Sequence, residues 1–158
     1  MRSRIAMMLT LAILVCPLFV GTTFADQNSC TIATVKGTYG YVGFGTVLAT
    51  NPFGAPAGSY SSTGTLTFDG KGNLLIVDTG RVDNLFTSPD TQYPSTYTVS
   101  NDCVVTFTIT AWAELGLPGP HYKGVIVNNR KELRAISLVP GYIVNYVNTA
   151  KITAEDSD

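Results

Sequence analysis

The clearest signal along this chain is an alternation of apolar and hydroxyl-bearing residues with a period of two. In the run Cys103 to Ala111, Cys103, Val105, Phe107 and Ile109 fall on one face, and Thr106, Thr108 and Thr110 on the other. Successive side chains of a strand point to opposite faces, so this pattern predicts a strand with one buried side. Ser61 to Phe68 repeats it, with Gly64, Leu66 and Phe68 opposite Thr63, Thr65 and Thr67. Val, Thr and Phe also suit a pleated, half-buried surface. Turn-forming clusters punctuate these runs: Asp69-Gly70-Lys71-Gly72, Ser100-Asn101-Asp102, Asn128-Asn129-Arg130-Lys131 and Pro140-Gly141. Gly and Asn tolerate the positive φ that tight hairpins demand.

Read together, runs and turns predict strands over Gly37–Leu48, Ser59–Asp69, Asn73–Val82, Ser95–Ser100, Cys103–Trp112, His121–Asn128, Glu132–Val139 and Tyr142–Thr153. The longer links are Ala49–Gly58, Asp83–Pro94 and Ala113–Pro120, and their alternation with short turns crowds the long loops at one end. Only Thr31–Lys36 offers a helical turn. Sequential antiparallel strands either close into an up-and-down barrel or split into two packed sheets. Short sequential hairpins favour closure. The expected fold is all-β, a single eight-stranded antiparallel up-and-down barrel, with a β-sandwich as the alternative. A barrel of this size is just wide enough to hold one small ligand.

The first 25 residues follow a different logic. Arg2 and Arg4 precede an uncharged, mostly apolar run from Ile5 to Val20, and Thr23-Phe24-Ala25 places small residues at the last and third-last positions before Asp26. That order is expected of a secretory signal peptide cleaved after Ala25. The expected organisation is a signal peptide at 1–25, an N-terminal segment at 26–36, the barrel at 37–153 and an acidic tail at 154–158. Ile13-Leu14-Val15-Cys16 is close to a lipid-attachment box, but Val15 is large for it and the apolar run continues past Cys16. Location is then exported, periplasmic or extracellular, with no transmembrane segment after cleavage, since no later run approaches the ~18 apolar residues of a spanning helix.

Composition narrows the chemistry. Cleavage leaves 133 of the 158 residues, with 8 basic side chains against 11 acidic ones. That balance argues against a nucleic-acid partner. Cys30 and Cys103 remain, and in an oxidising compartment the simplest reading is a structural disulfide. The alternative, a redox pair, lacks C-x-x-C spacing. A single histidine, His121, provides no H-x-x-x-H cluster, so no metal and no cofactor are expected. It reads as a loop-edge residue at the start of a strand. No Gly-x-Ser-x-Gly elbow or phosphate-binding loop occurs, and Gly40–Gly45 reads as a strand bending around a barrel. Asp78 and Arg81, three apart on one strand, face opposite sides; Glu132 and Arg134 share a face. Asp78 could meet a basic residue across the sheet: inside the barrel such a pair would be a polar anchor for a ligand, outside it a solvated ion pair worth ~0–1 kcal/mol, and because buried charge is costly the outer face is expected.

The runs Gly37-Thr38-Tyr39-Gly40-Tyr41, Gly64-Thr65-Leu66-Thr67-Phe68-Asp69-Gly70 and Tyr97-Thr98-Val99 with Asn101-Asp102-Cys103 resemble small calycin-type barrels, namely lipocalins and allene oxide cyclase-like barrels. They also resemble exported bacterial proteins of unassigned function. Gly37-Thr38-Tyr39 is similar to the lipocalin Gly-x-Trp as Gly-x-aromatic, and the resemblance implies a basic partner for that ring near the barrel's end, a part open to Lys151. No catalytic residue is carried over.

Function is then sought among the aromatics, whose apolar faces and polar tips suit an amphipathic ligand. Tyr39, Tyr41, Tyr97, Phe107 and Trp112 are the candidate lining, with Trp112 at the barrel mouth. Three readings follow. The first is an exported barrel binding a small apolar or amphipathic molecule. The second is a cyclase or isomerase-type enzyme assisted by His121, Tyr122 or Arg134. The third is a filled barrel acting through its surface. A pocket with no polar convergence favours the first, a buried ionisable cluster the second, and a solid interior the third.

Overall fold

The computed structural model describes residues 29–83 and 86–152. The expected signal peptide and acidic tail lie outside the described residues. Eight strands form: β1 (Gly37–Val47), β2 (Gly58–Phe68), β3 (Asn73–Val82), β4 (Phe86–Val99), β5 (Val104–Ile109), β6 (Tyr122–Val127), β7 (Glu132–Ser137) and β8 (Tyr142–Lys151). Each pairs antiparallel with its successor, and β8 returns to pair with β1, so the sheet closes into an up-and-down barrel rather than a sandwich.

Closure converts the alternation into inside and outside. In β2, Leu66 and Phe68 point inward while Thr63 and Thr67 face solvent. In β5, Val105, Phe107 and Ile109 are buried. Across the outer face, Thr38 and Thr67 meet at 3.2 Å, and Thr98 and Thr106 at 2.8 Å, so the exposed threonines form cross-strand hydroxyl pairs.

The two ends differ. At one, the links are short, and the segment before β1 folds across the opening. Thr31 starts a 3-10 turn over Ile32–Val35, Val35 is fully buried, and the Tyr97 hydroxyl donates to the Ile32 carbonyl at 2.9 Å. A Cys30–Cys103 disulfide ties this segment to the β4–β5 turn. Tyr39, Phe68 and Tyr97 pack edge-on above it, with centroids 5.6 and 4.9 Å apart. Lys151 Nζ lies 6.0 Å from the Tyr39 ring centroid. At the other end lie the longer links.

Two expected boundaries are corrected. Asp83–Pro94 is not a long link, because β4 begins at Phe86. Pro89 and Pro94 read as strand breakers, yet residues 86–94 pair only with β3, and β5 joins only at Ser95. Proline is tolerated where a strand has a free edge. The strand expected over Cys103–Trp112 stops at Ile109, and Thr110–Glu114 turns into a short helix, α1. Ala, Trp and Glu there accept helical geometry, and α1 packs beside the single-sided half of β4.

The disulfide closes a loop across a sequence separation of 73 residues. Replacing both cysteines by serine is expected to cost about 2–5 kcal/mol in denaturant unfolding while the barrel still forms. A loss below ~1 kcal/mol would mean that the N-terminal segment holds its place without the crosslink.

Candidate functional site

Below the long-loop end the barrel is not filled. A cavity of about 100 Å³ extends inward from the mouth. Its walls come from inward positions of all eight strands and from α1: Tyr41 of β1, Tyr60 of β2, Asp78 of β3, Tyr93 of β4, Phe107 of β5, Tyr122 of β6, Ala135 of β7 and Tyr146 of β8, with Trp112 above. Small residues on neighbouring inward positions make room for these rings. A Cβ on Gly43 would come within 2.7 Å of the Tyr146 ring.

Asp78 points into this cavity, not outward, which corrects the expectation of a solvated outer position. Its parity on β3 is that of Leu74, Ile76 and Val82, all buried. The register places it opposite Gly64 on one side and Thr91 on the other. Between Asp78 and Gly80 the β3–β4 pairing slips, with Pro89 and Asp90 of β4 against Thr79 of β3. Asp90 stands at φ +44, held by its N–H donating to Thr79 Oγ1 at 2.9 Å. Bulges of this kind re-aim side chains and recur beside functional sites.

The Tyr41 hydroxyl donates to Asp78 Oδ1. Among the described residues no Lys, Arg or His forms an ion pair with this carboxyl; the ion pair formed there is Arg134 with Glu132, on the outer face. Burial therefore pushes the Asp78 carboxyl above its ordinary range, with hydrogen bonds from the Tyr41 and Ser62 side chains opposing in part. Burial also pushes up the hydroxyls of Tyr41, Tyr60, Tyr122 and Tyr146, so these phenols stay protonated donors. The Tyr146 hydroxyl lies 3.5 Å from that of Tyr122.

The mouth is framed by rings. Trp112 stacks obliquely on Phe53 at 4.6 Å and meets Tyr93 edge-on at 5.8 Å. Phe53 and Tyr60 both contact Tyr142 edge-on, at 5.7 and 6.1 Å. His121 fixes this arrangement. It is 1 % exposed, its Nδ1 accepts from the Ile109 N–H at 2.9 Å, and its Nε2–H donates to the Leu117 carbonyl at 3.2 Å. Its ring also meets Trp112 edge-on at 5.4 Å. His121 thus staples the segment carrying Trp112 to the end of β5. Both of its nitrogens are committed to backbone.

Of the five residues singled out as lining, Tyr41, Phe107 and Trp112 meet at the cavity. Tyr39 and Tyr97 lie instead in the packed core at the closed end. Of the residues considered as catalytic assistants, Tyr122 reaches the cavity, His121 is engaged with backbone, and Arg134 faces solvent. Sequence reasoning placed Asp78 on the wrong face and did not single out Tyr60, Tyr93, Tyr142 or Tyr146. The parity of Asp78 with Leu74, Ile76 and Val82 was the available signal, masked by Leu75 and Val77, which make the other face look equally apolar.

No metal-binding group of three or more His, Cys, Asp or Glu occurs among the described residues. No family model, curated protein or solved structure matches this chain. The disulfide fits an exported protein, and no helix among the described residues is long and apolar enough to cross a membrane.

Two outcomes are expected. A carboxyl raised on folding takes up a proton between its unfolded value near 3.9 and its higher folded value. Its contribution to stability is therefore complete below pH ~4 and lost as pH rises through the folded value. Asp78→Asn should be more stable than the wild type at pH 8, with the gap closing toward pH 4 in urea titrations; a gap independent of pH contradicts the assignment. His121→Phe should cost about 1–3 kcal/mol, because it strands the buried Ile109 N–H. It should also red-shift Trp112 emission, Trp112 being the sole tryptophan of the chain.

Proposed function

We propose that this protein is an exported barrel that binds a small apolar or amphipathic molecule in the cavity at its open end. The observation that carries the reading is the unfilled interior. A barrel working only through its surface has no use for an aromatic-lined space open at the mouth. Phenol tips and one carboxyl set among apolar walls are the composition of a ligand pocket, in which a few polar groups fix orientation. The resemblance to calycin-type barrels points the same way. At about 100 Å³ the cavity is smaller than the ~150 Å³ engineered cavity that takes up benzene. Its opening to solvent lets a ligand extend outward. The ligand's buried part is then at most of single-ring size, not a long-chain lipid.

A second reading is favoured by one observation. A half-buried carboxyl of raised pKa held by a tyrosine is also the equipment of a proton-transfer enzyme of the isomerase or cyclase class. In that reading Asp78 moves the proton and Tyr41 positions it, while the walls supply shape. Binding comes first in either case.

Titration with benzyl alcohol, a single-ring probe, should change Trp112 emission with saturation. Ala135→Leu, which fills part of the cavity from β7, should weaken that binding about tenfold or more, since each excluded CH₂ of contact is worth ~0.8 kcal/mol. Equal affinities for the two proteins would place the probe elsewhere and remove the support for an internal site.

A further inference from the structure

The cavity contains one acid and no base. None of its lining residues is Lys, Arg or His, and Asp78 has no cationic partner among the described residues. Its Oδ1 is taken by the Tyr41 hydroxyl. Its Oδ2 converges with the Tyr60 hydroxyl over Gly80: a Cβ added there would lie 3.2 Å from each oxygen. Gly80 thus keeps open a small space beneath two acceptor oxygens. Around it stand aromatic rings, including Tyr122 and Tyr146 edge-on at 5.4 Å and Tyr41 and Tyr146 edge-on at 5.5 Å.

Three ligand charges can be compared in that setting. An anion would meet a carboxyl in a desolvated site with no cation to offset it, which is strongly unfavourable. A neutral molecule fits the walls and can donate one hydrogen bond, but it leaves the carboxyl to stay protonated or to bear an uncompensated charge. A cation removes that penalty. It pairs with Asp78 through charge-assisted hydrogen bonds and is attracted to the faces of tyrosine and tryptophan rings.

We propose that the ligand is an organic amine, bound as its ammonium ion, with nitrogen at Asp78 and Tyr60 and an apolar body of single-ring size directed toward Trp112. This deepens the binding reading and rests on it. The amine class follows from the pairing of one lone carboxyl with an aromatic enclosure, and the size class from the cavity volume. Arrival of the ammonium drives Asp78 to its ionised form, since an adjacent positive charge favours the carboxylate.

The test compares three probes of one shape, benzylamine, benzyl alcohol and benzoate, by isothermal titration calorimetry on the purified, disulfide-bonded protein at pH 7. The expected order is amine, then alcohol, then carboxylate, with the amine about tenfold or more tighter than the alcohol, as a hydrogen bond to a charged group provides. In Asp78→Asn the ratio of amine to alcohol affinity should collapse toward one. An alcohol that binds as well as the amine, or better, overturns the amine assignment while leaving the cavity as a binding site. Binding by none of the three overturns both readings. An amine preference that survives in Asp78→Asn removes Asp78 from its role. Should the Asn variant fail to fold, the ranking of the three probes on the wild-type protein still decides.

Discussion

Everything in this molecule depends on the pairing of β8 with β1. Without it, the strands form an open sheet with two edges and two comparable faces. With it, every side chain is assigned to the inside or the outside, and a slip of one residue would exchange the two sets. The alternation of threonines with apolar residues then has a physical meaning: the hydroxyls pair across strands in solvent while the apolar positions fill the lumen. The pairing is not uniform. It slips in β8 opposite β1 and β7, and in β4 opposite Asp78. These irregularities lie at the level of the cavity, where Asp78 and Tyr146 are brought to face the same space.

The interior is graded along the barrel axis. Tyr39, Phe68 and Tyr97 pack against the N-terminal segment and make the closed end a conventional core. Toward the other end, small residues and longer links open the lumen, and phenols stand among aliphatic side chains. A half-buried carboxyl without a cationic partner lowers stability, and an apolar residue of similar volume would serve a purely structural barrel better. Asp78 lies on the cavity wall, bonded to Tyr41 and beside open space. The stability lost there is set against the packed closed end and its disulfide.

The architecture was legible because period-two patterning in Ser61–Phe68 and Cys103–Ile109 admits one structural interpretation, and short turns leave few topologies. The pairing of Cys30 with Cys103 was legible from their number and expected compartment. The cavity was legible only in part. Aromatic residues near the expected mouth drew attention to Tyr41, Phe107 and Trp112, which line the cavity, and the same reasoning drew in Tyr39 and Tyr97, which pack at the closed end. Asp78 was placed outside because the cost of burying a charge outweighed its parity with Leu74 and Ile76. His121 hid a positioning role behind its solitude: a lone histidine suggests no metal site, yet it says nothing about two backbone groups that meet only after the chain folds.

The most direct test of the central claim, that the lumen holds a small molecule, is native mass spectrometry of the protein isolated gently from the cell that produces it, before and after extraction with organic solvent. The account predicts a single discrete added mass that extraction removes and that returns when the extract is added back. A protein that emerges bare before extraction, and that gains no mass when offered single-ring amines and alcohols, would contradict it and leave a barrel that works through its outer surface.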